Sequence, residues 1–337
     1  MAALCELISA GLIVSQEDRE FYLQKSQIAS STEHYVQYLY SQWKKKWYYI
    51  YTCDVQDGDN LPKVTQFSLV LVTKDFNPEK YEMLSKILTK RYRKSGNPSY
   101  MLESYLSVIT RGTCSAEENG KFFVRDFERN KALGNCHLKD IIESLGVETI
   151  ILYTALLLKK RIVVYYPQNQ ISSLLNCVRS LPSLVWHRQN WEIAYPFLEL
   201  NQAELDELKL NSCYVAGFCD ASVEGRSDLY DVFLNVTTAQ ISIAPSAKES
   251  LAMGKLHKDI AMFIVKCADN EDLSEQQIVK EIEQKTSELL NNLKSLCETS
   301  EDGKKYLTLE SLNQRKMAPA TENFLFSLAA CEGLVKL

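Results

Sequence analysis

Residues 146–167, GVETIILYTALLLKKRIVVYYP, hold the pattern that decides the fold class. They contain the longest apolar stretch of the chain, residues 149–158, and three cations follow it directly. Because a membrane span needs about 20 apolar residues, this stretch predicts a buried core helix. The next run, from Arg161 to Tyr166, is apolar on both faces and predicts a central strand in a sheet covered on both sides.

More strands and helices are predicted on the carboxyl side of this centre. A helix at residues 171–180 is expected to cover the sheet. After Pro245 the pattern becomes helical, and residues 246–249 and 274–277 both match the capping box that opens a helix. The second box precedes an apolar stripe that spans fewer than three heptads, so packing within its own domain is favoured over a coiled coil. The additional strands are expected at residues 214–218, 230–236 and 240–243.

On the amino-terminal side the pattern predicts strands followed by helices. Residues 47–55 and 64–73 are rich in aromatic and β-branched side chains, as strands are. A short hairpin is expected between residues 11–14 and 21–23, across a polar turn. Asn77 fits the N-cap of a helix that stops at Gly96. A second helix is expected over residues 100–110, and the polar segment 114–121 reads as a linker.

Composition excludes several classes of protein. The chain has 337 residues, 46% of them hydrophobic, with a net charge of −5 and a pI near 5.6. A nucleic-acid binder normally carries a basic excess, so nucleic acid is not expected as a partner. The first 18 residues, MAALCELISAGLIVSQED, lack the basic start of a secretory signal, which predicts a cytoplasmic location.

No conventional active site is recognisable. The ten cysteines include no CxxC pair, and the four histidines lack metal-ligand spacing. Glycine-rich phosphate loops, the GxSxG elbow and the HExxH motif are absent from the sequence. We therefore expect no catalytic residue, no metal and no cofactor, reduced structural thiols, and a monomer when the protein is on its own.

Two aromatic segments are candidate contact surfaces. In residues 43–47, WKKKW, the cations Lys44, Lys45 and Lys46 fit a contact with anionic lipid or an acidic partner. The favoured alternative is the entrance of a strand with solvated lysines. In residues 186–191, WHRQNW, the side chains of Trp186, Arg188 and Trp191 fit either interface anchors or a pair of rings that pins a loop to the core. Trp191 is expected to be the more buried ring, because an apolar run follows it.

Several longer stretches carry a resemblance to a known family. They are KVTQFSLVLVTKDFNPEKY (63–81), residues 146–167, LPSLVWHRQNWEIAYPFL (181–198), CYVAGFCD (213–220), SDLYDVFLNV (227–236), AMGKLHKDI (252–260) and PATENFLFSLAA (319–330). Together they resemble the DENN-domain family, and within it a small stand-alone member. The resemblance covers about four-fifths of the chain, from residue 64 onwards.

The resemblance implies an α/β fold in several parts. Residues 1–113 correspond to an N-terminal longin-like α/β module, and residues 114–121 to a linker. Residues 122–245 correspond to the central DENN α/β module, and residues 246–337 to its helical C-terminal part. The first 45 residues match the family poorly.

The resemblance also implies a function that needs no active-site nucleophile. DENN modules act on Rab-type small GTPases by promoting release of bound GDP, so we expect a guanine-nucleotide exchange factor recruited to endosomal membranes, with peripheral membrane association at most. Whether it counts as an enzyme is left open. The alternative is a non-catalytic subunit that holds helical or coiled-coil partners in a trafficking assembly. Apart from the resemblance, the acidic residues after a predicted strand are candidate contacts for a partner, and the favoured alternative is a solvated loop: Asp220, Glu224 and Asp228.

Overall fold

The fold consists of two compact units, Met1–Ala132 and Leu133–Leu337. A computed structural model describes residues 15–29, 36–116, 120–299 and 305–335 of the chain. Both units combine helices with β-sheets, which confirms the α/β fold class. Within the described ranges, no helix is both long enough and apolar enough to cross a bilayer.

The first unit is built on an antiparallel sheet. Helix α1 (Gln16–Ala29) precedes the strands β1 (Tyr38–Trp43), β2 (Lys46–Asp54) and β3 (Gln66–Thr73), which lie in that order in the sheet. The middle strand is almost completely buried, as the predicted aromatic pattern requires. The strands expected at 47–55 and 64–73 are confirmed, whereas β1 was not predicted.

The hairpin expected between residues 11–14 and 21–23 is wrong in its second strand. Phe21 and its neighbours lie in α1, and residues 11–14 are outside the described residues. Ser15 accounts for the helix, because its hydroxyl oxygen accepts a hydrogen bond from the backbone N–H of Asp18 at 3.1 Å. The segment read as a polar turn is therefore a capped helix start.

Two helices follow the sheet as a helical hairpin, α2 (Pro78–Ser95) and α3 (Pro98–Arg111). The Asn77 side chain accepts from the Lys80 N–H at 3.1 Å and so confirms the predicted N-cap. Gly96 ends α2 with a φ of 65°, and a Cβ there would lie 2.4 Å from the Asn60 carbonyl oxygen. Glycine is therefore required at this turn.

The segment expected as a linker, residues 114–121, contributes to a β-hairpin. Strands β4 (Thr113–Ala116) and β5 (Gly120–Phe123) pair in antiparallel fashion, and residues 117–119 between them lie outside the described residues. Helix α4 (Arg129–Gly134) follows. The module boundaries at 113 and 122 stay predictions about independent folding.

The second unit contains a five-stranded sheet in which β6, β7, β8 and β9 run parallel and β10 is antiparallel to β9. The order of strands is β10-β9-β6-β8-β7. Both sides of the predicted central strand β6 are buried, which confirms its position. The elements, in chain order, are α5 (Leu138–Leu145), α6 (Thr149–Leu157), β6 (Arg161–Tyr165), α7 (Ile171–Ser180), β7 (Ala194–Leu198), α8 (Gln202–Lys209), β8 (Tyr214–Phe218), β9 (Val232–Asn235) and β10 (Gln240–Ile243).

A close backbone approach joins two of these strands. A Cβ on Gly217 in β8 would lie 2.3 Å from the carbonyl oxygen of Pro196 in β7 and 2.9 Å from the Leu174 side chain of α7. The glycine of the sequence YVAG therefore lets the strand pack beneath its neighbours.

The carboxyl-terminal part is helical, with one correction. The capping box expected at residues 246–249 does not open a helix, because Pro245–Ala247 forms only a short 3₁₀ turn. The helix starts later, where the Gly254 N–H donates to Nδ1 of His257 at 3.1 Å. The box at 274–277 is confirmed, and the apolar stripe after it is buried within the unit. The elements are α9 (Lys255–Ala268), α10 (Glu275–Leu296), β11 (Glu298–Thr299), β12 (Lys305–Tyr306), α11 (Leu309–Asn313) and α12 (Pro319–Cys331).

Candidate functional site

The predicted acidic residues lie on the connection between β8 and β9. Asp220, Glu224 and Asp228 are all exposed there. Val223 and Leu229, from the same connection, are completely buried in an apolar cluster beneath it. The connection is therefore anchored from below and presents its carboxylates to solvent.

Two tyrosine hydroxyls hold the backbone of this connection. Tyr230 donates to the carbonyl oxygen of Glu224 at 2.6 Å, and Tyr214 donates to that of Leu229. Burial raises the pKa of Tyr214 to about 12, so its hydroxyl stays protonated and remains a donor. These tyrosines of the family pattern thus support the fold.

The three carboxylates are not gathered into one cluster. Since β8 and β9 both run parallel to β6, the connection crosses from the carboxyl ends of the strands to their amino ends. Asp220 follows the end of β8 and accepts from the Ser222 N–H at 2.9 Å and from its hydroxyl at 2.7 Å. These bonds to Ser222 lower the pKa of Asp220.

Asp228 lies near the amino ends of the strands and is already paired. Its carboxylate oxygens accept from Arg226 at 2.8 and 3.0 Å, and Lys209 Nζ lies 3.2 Å away. The hydrogen bonds from Arg226, followed by those from Lys209, hold the pKa of Asp228 well below its usual range. A partner that binds at this end of the sheet would face the Asp228 carboxylate, whose charge is partly neutralised by Arg226 and Lys209.

The two tryptophans differ in exposure. Trp191 is 3% exposed, and its Nε1 donates to the Arg179 carbonyl oxygen at 2.8 Å. Trp186 is half-buried and meets Trp191 edge to face, with 5.6 Å between the ring centroids. The prediction that Trp191 is the more buried ring is confirmed. Of the two, Trp186 is the ring that a partner could reach.

Arg188 bridges two parts of the second unit. Nη1 and Nη2 donate to the carbonyl oxygens of Leu156 and Leu157, both at 2.7 Å, at the carboxyl end of α6. The guanidinium also pairs with Glu332, just after α12, and His187 Nε2 lies 3.5 Å from the same carboxylate. His187 and Arg188 together hold the pKa of Glu332 at about 2. Contact of Arg188 with a partner stays a prediction.

The three lysines of residues 43–47 lie at the tip of the β1–β2 hairpin, where Lys44 and Lys45 form the turn and Lys46 begins β2. Lys44 and Lys45 have φ values of 49° and 58°, the backbone of a tight two-residue hairpin turn. Lys44 Nζ lies 2.7 Å from Glu17 and 3.1 Å from Asp18, and these bonds raise the pKa of Lys44. Lys45 is exposed and Lys46 is half-buried, so Lys45 is the lysine of the tip that is most accessible to a partner.

Some structurally important carboxylates were missed in the sequence. Glu275, at the start of α10, accepts from the backbone N–H groups of Leu138 and Lys139 at 2.9 and 3.2 Å and so caps α5. Burial raises the pKa of Glu275 by more than these bonds lower it. Glu332 was missed for the same reason as Glu275, because its partner Arg188 is also remote in sequence. Motif spacing finds only partners that are near in the chain, so it gave no signal for either.

No metal centre is formed by the residues that the structure describes, among which no three His, Cys, Asp or Glu side chains lie close enough to hold an ion. Of the histidines, His257 is buried beside Phe324, and burial lowers its pKa. His34 lies outside the described ranges.

Comparison with known proteins gives consistent matches. A family model described as "SPA: Stabilization of polarity axis" matches residues 135–245. "DENN domain-containing protein 10" of Danio rerio is 48% identical over 95% of this chain and 90% of its own length. The protein of that name from Homo sapiens is 48% identical over 89% of this chain and 84% of its own length. The one from Dictyostelium discoideum is 39% identical over 89% and 86%. The family-model match contains both tryptophans and the β8–β9 connection.

Proposed function

We propose that this chain, which belongs to the DENN domain-containing protein 10 family, binds a Rab-type small GTPase. By binding, it promotes release of the nucleotide from the GTPase. The process in which it does so is endosomal membrane trafficking. The observation that carries the proposal is the similarity over 95% of the chain, which leaves little room for a different architecture. This similarity shows a DENN-type module.

Nucleotide exchange suits a surface without a nucleophile or a metal. The protein needs only to bind the nucleotide-free GTPase more tightly than the loaded one. By linkage, it then weakens nucleotide binding by the same factor. Equal affinity for both forms would produce no release.

The exposed carboxylates of the β8–β9 connection are the proposed contact residues. Asp220 and Glu224 stand on a backbone that buried side chains fix, so little ordering is needed when a partner binds. Asp228 contributes less, because Arg226 and Lys209 already pair with it. Trp186, half-buried, is the proposed aromatic contact. The tip residue Lys45 is a separate proposed contact for an acidic partner.

The direct test is release of labelled GDP from a panel of purified Rab proteins, with and without this protein. We expect faster release for one of them, and tighter binding of that Rab when no nucleotide is present. Unchanged release from every Rab, together with recovery of a helical scaffold protein on purification from cells, would favour the alternative of a non-catalytic interaction subunit.

A charge-reversal variant locates the contact. Asp220→Lys with Glu224→Lys should slow association with the Rab, and the loss should be larger at low salt than at high salt. The matched control is Glu249→Lys with Asp259→Lys, which reverses two exposed carboxylates elsewhere in the same unit. If both pairs slow association equally, the effect is one of net charge and the proposed contact is wrong.

A further inference from the structure

The apolar side of α3 does not coincide with its buried side. In this helix Ser104 and Val108, one turn apart, are the buried residues. Leu102, Leu106 and Ile109 have the i, i+4, i+7 spacing of an apolar stripe. At 3.6 residues per turn this stripe lies about a quarter turn or more away from the buried side. The helix therefore packs through the side that carries Ser104 and Val108. Its more apolar side, the stripe, is left largely exposed.

The exposed fractions confirm this arrangement. Leu106 is 44% exposed and Ile109 is 57% exposed. Tyr100, at the start of the helix, is 53% exposed, but it lies half a turn away from Ile109 and is not part of the stripe. Met83, on the neighbouring helix α2, is 40% exposed. Single exposed apolar residues are common on protein surfaces, but several on one helical hairpin mark a binding surface.

The same helical hairpin carries a concentration of positive charge. Residues 78–111 contain seven Lys and Arg and three Glu, a net charge of +4, in a chain whose net charge is −5. Lys86, Lys90 and Lys94 follow one another at i, i+4, i+8 and share one side of α2. Lys86 and Lys94 are exposed, Lys90 is partly exposed, and Lys86 forms an exposed ion pair with Glu82, one turn earlier on α2. A helical hairpin with an exposed apolar stripe on one helix and exposed lysines on the other is complementary to a surface that is apolar within and anionic outside.

We propose that the α2–α3 hairpin binds an anionic lipid surface, with Leu106 and Ile109 of the apolar stripe entering the interface and the lysines of α2 contacting headgroups. The side chains of Leu106 and Ile109 together expose roughly 200 Å², far less than the ~800 Å² that each partner of a stable protein complex buries. A lipid surface needs no matching groove, and modest apolar burial combined with basic charge suffices for reversible binding.

The proposal goes beyond nucleotide exchange, because it concerns residues 78–111 of the first unit and does not depend on the proposed Rab contacts of the second. Membrane binding can therefore be found when exchange is absent, and exchange in solution can be found when membrane binding is absent.

The test is sedimentation of the full chain with phosphatidylcholine vesicles, with and without phosphatidylserine. Binding is expected only with phosphatidylserine, and it should weaken as salt shortens the Debye length from ~10 Å at 0.1 M. Lys86→Glu with Lys94→Glu should lower affinity by about 20-fold or more, since each lysine near the surface contributes about fivefold. The matched control, Lys248→Glu with Lys255→Glu, reverses two exposed lysines of the second unit and should change it much less.

The apolar contribution is tested separately. Leu106→Ser with Ile109→Ser should lower vesicle affinity by about tenfold. The control Leu210→Ser alters a leucine that is 79% exposed in the second unit, and it should leave affinity unchanged. All these positions are exposed, and unchanged thermal unfolding will show that the variants are folded. No binding to anionic vesicles, equal effects of the control pairs, or loss only with Lys45→Glu would overturn the proposal. So would binding of the stripe to an acidic helical protein without any binding to vesicles.

Discussion

Arg161 and Asp231 are joined by four hydrogen bonds. Nε and Nη2 of Arg161 donate to the Asp231 carboxylate at 3.2 and 2.9 Å, and the Arg161 backbone N–H donates to the same side chain at 2.9 Å. In return, the Asp231 N–H donates to the Arg161 carbonyl oxygen at 2.9 Å. Arg161 opens the central strand β6 and Asp231 immediately precedes β9, so the pair sets where these two strands meet.

Replacing the carboxylate should destabilise the second unit. In Asp231→Asn, the charge that faces the partly buried guanidinium is lost, and we expect a fall of about 2 kcal/mol in the free energy of unfolding. Burial acts to raise the pKa of Asp231, but the bonds and charge of Arg161 outweigh it, so the pKa is lowered. Denaturant unfolding measures the change, with exposed Asp259→Asn as the control. Equal stability of the two variants would contradict the structural role.

A methyl group at Gly217 should be poorly tolerated. In Gly217→Ala the new Cβ meets the Pro196 carbonyl oxygen, which is backbone and cannot move without shifting β7. We expect a loss of about 2–3 kcal/mol, as for other overpacked sites. The matched control is Gly225→Ala, where no atom lies within 4 Å of the new Cβ. Thermal unfolding should separate the two, and a wild-type melting temperature for Gly217→Ala would show that the strands adjust.

The two tryptophans should differ in their cost of removal. Trp191→Ala empties a buried site and loses the bond to Arg179, so we expect a loss of about 3–5 kcal/mol. Trp186→Ala should cost less, because that ring is half-buried. Denaturation of each variant and of the double variant measures this. A double variant with normal stability that fails to bind a partner would mean that the rings act mainly at an interface.

The Glu332 carboxylate should make stability depend on acid. Its pKa of about 2 lies below the ordinary value of 4.5, so its contribution is complete above pH ~4.5 and is lost as the pH falls towards 2. The advantage of the wild type over Glu332→Gln should be about 1–3 kcal/mol at neutral pH. It should shrink on acidification below pH ~4.5, in unfolding measured at several pH values. A difference that is independent of pH would show that the ion pair is not what stabilises this end of α12.

Limited proteolysis tests the predicted module boundary. We expect the first cut by a nonspecific protease within residues 114–121, which are polar and contain Asn119 and Gly120. The fragments should be identified by mass and then by size-exclusion chromatography, because cut halves can stay associated. A first cut within residues 146–167 would contradict the boundary.

Local patterns predicted the parts of the fold that local forces determine. The buried run of β6 and the caps at Asn77 and Gly96 all follow from a few adjacent residues, and the structure confirms them. At Ser15 a capping residue is also present, but it stands in a polar segment whose composition predicts a turn. At residues 246–249 the sequence matches a capping box, but the chain there forms a short 3₁₀ turn without a side-chain cap.

The candidate site was less predictable, because its electrostatics depend on remote residues. The sequence indicated that Asp228 lies in the connection between two strands, where its carboxylate is available to a partner. It did not indicate that Lys209, at the end of α8, neutralises part of its charge. Arg188 was expected as an interface anchor, yet it binds the end of α6 and Glu332, 144 positions away. Such pairings arise only when the whole chain has folded.

The order of strands in the second unit also has a consequence for how the protein is synthesised. Strand β6 leaves the ribosome well before its neighbours β8 and β9, so it has no sheet partner while the intervening chain is being translated. In the first unit, β1 and β2 are joined by a tight turn and can pair at once. Parallel pairing over long separations is slow, and an unpaired apolar strand is prone to aggregate. The nascent second unit is therefore where we expect chaperones to bind.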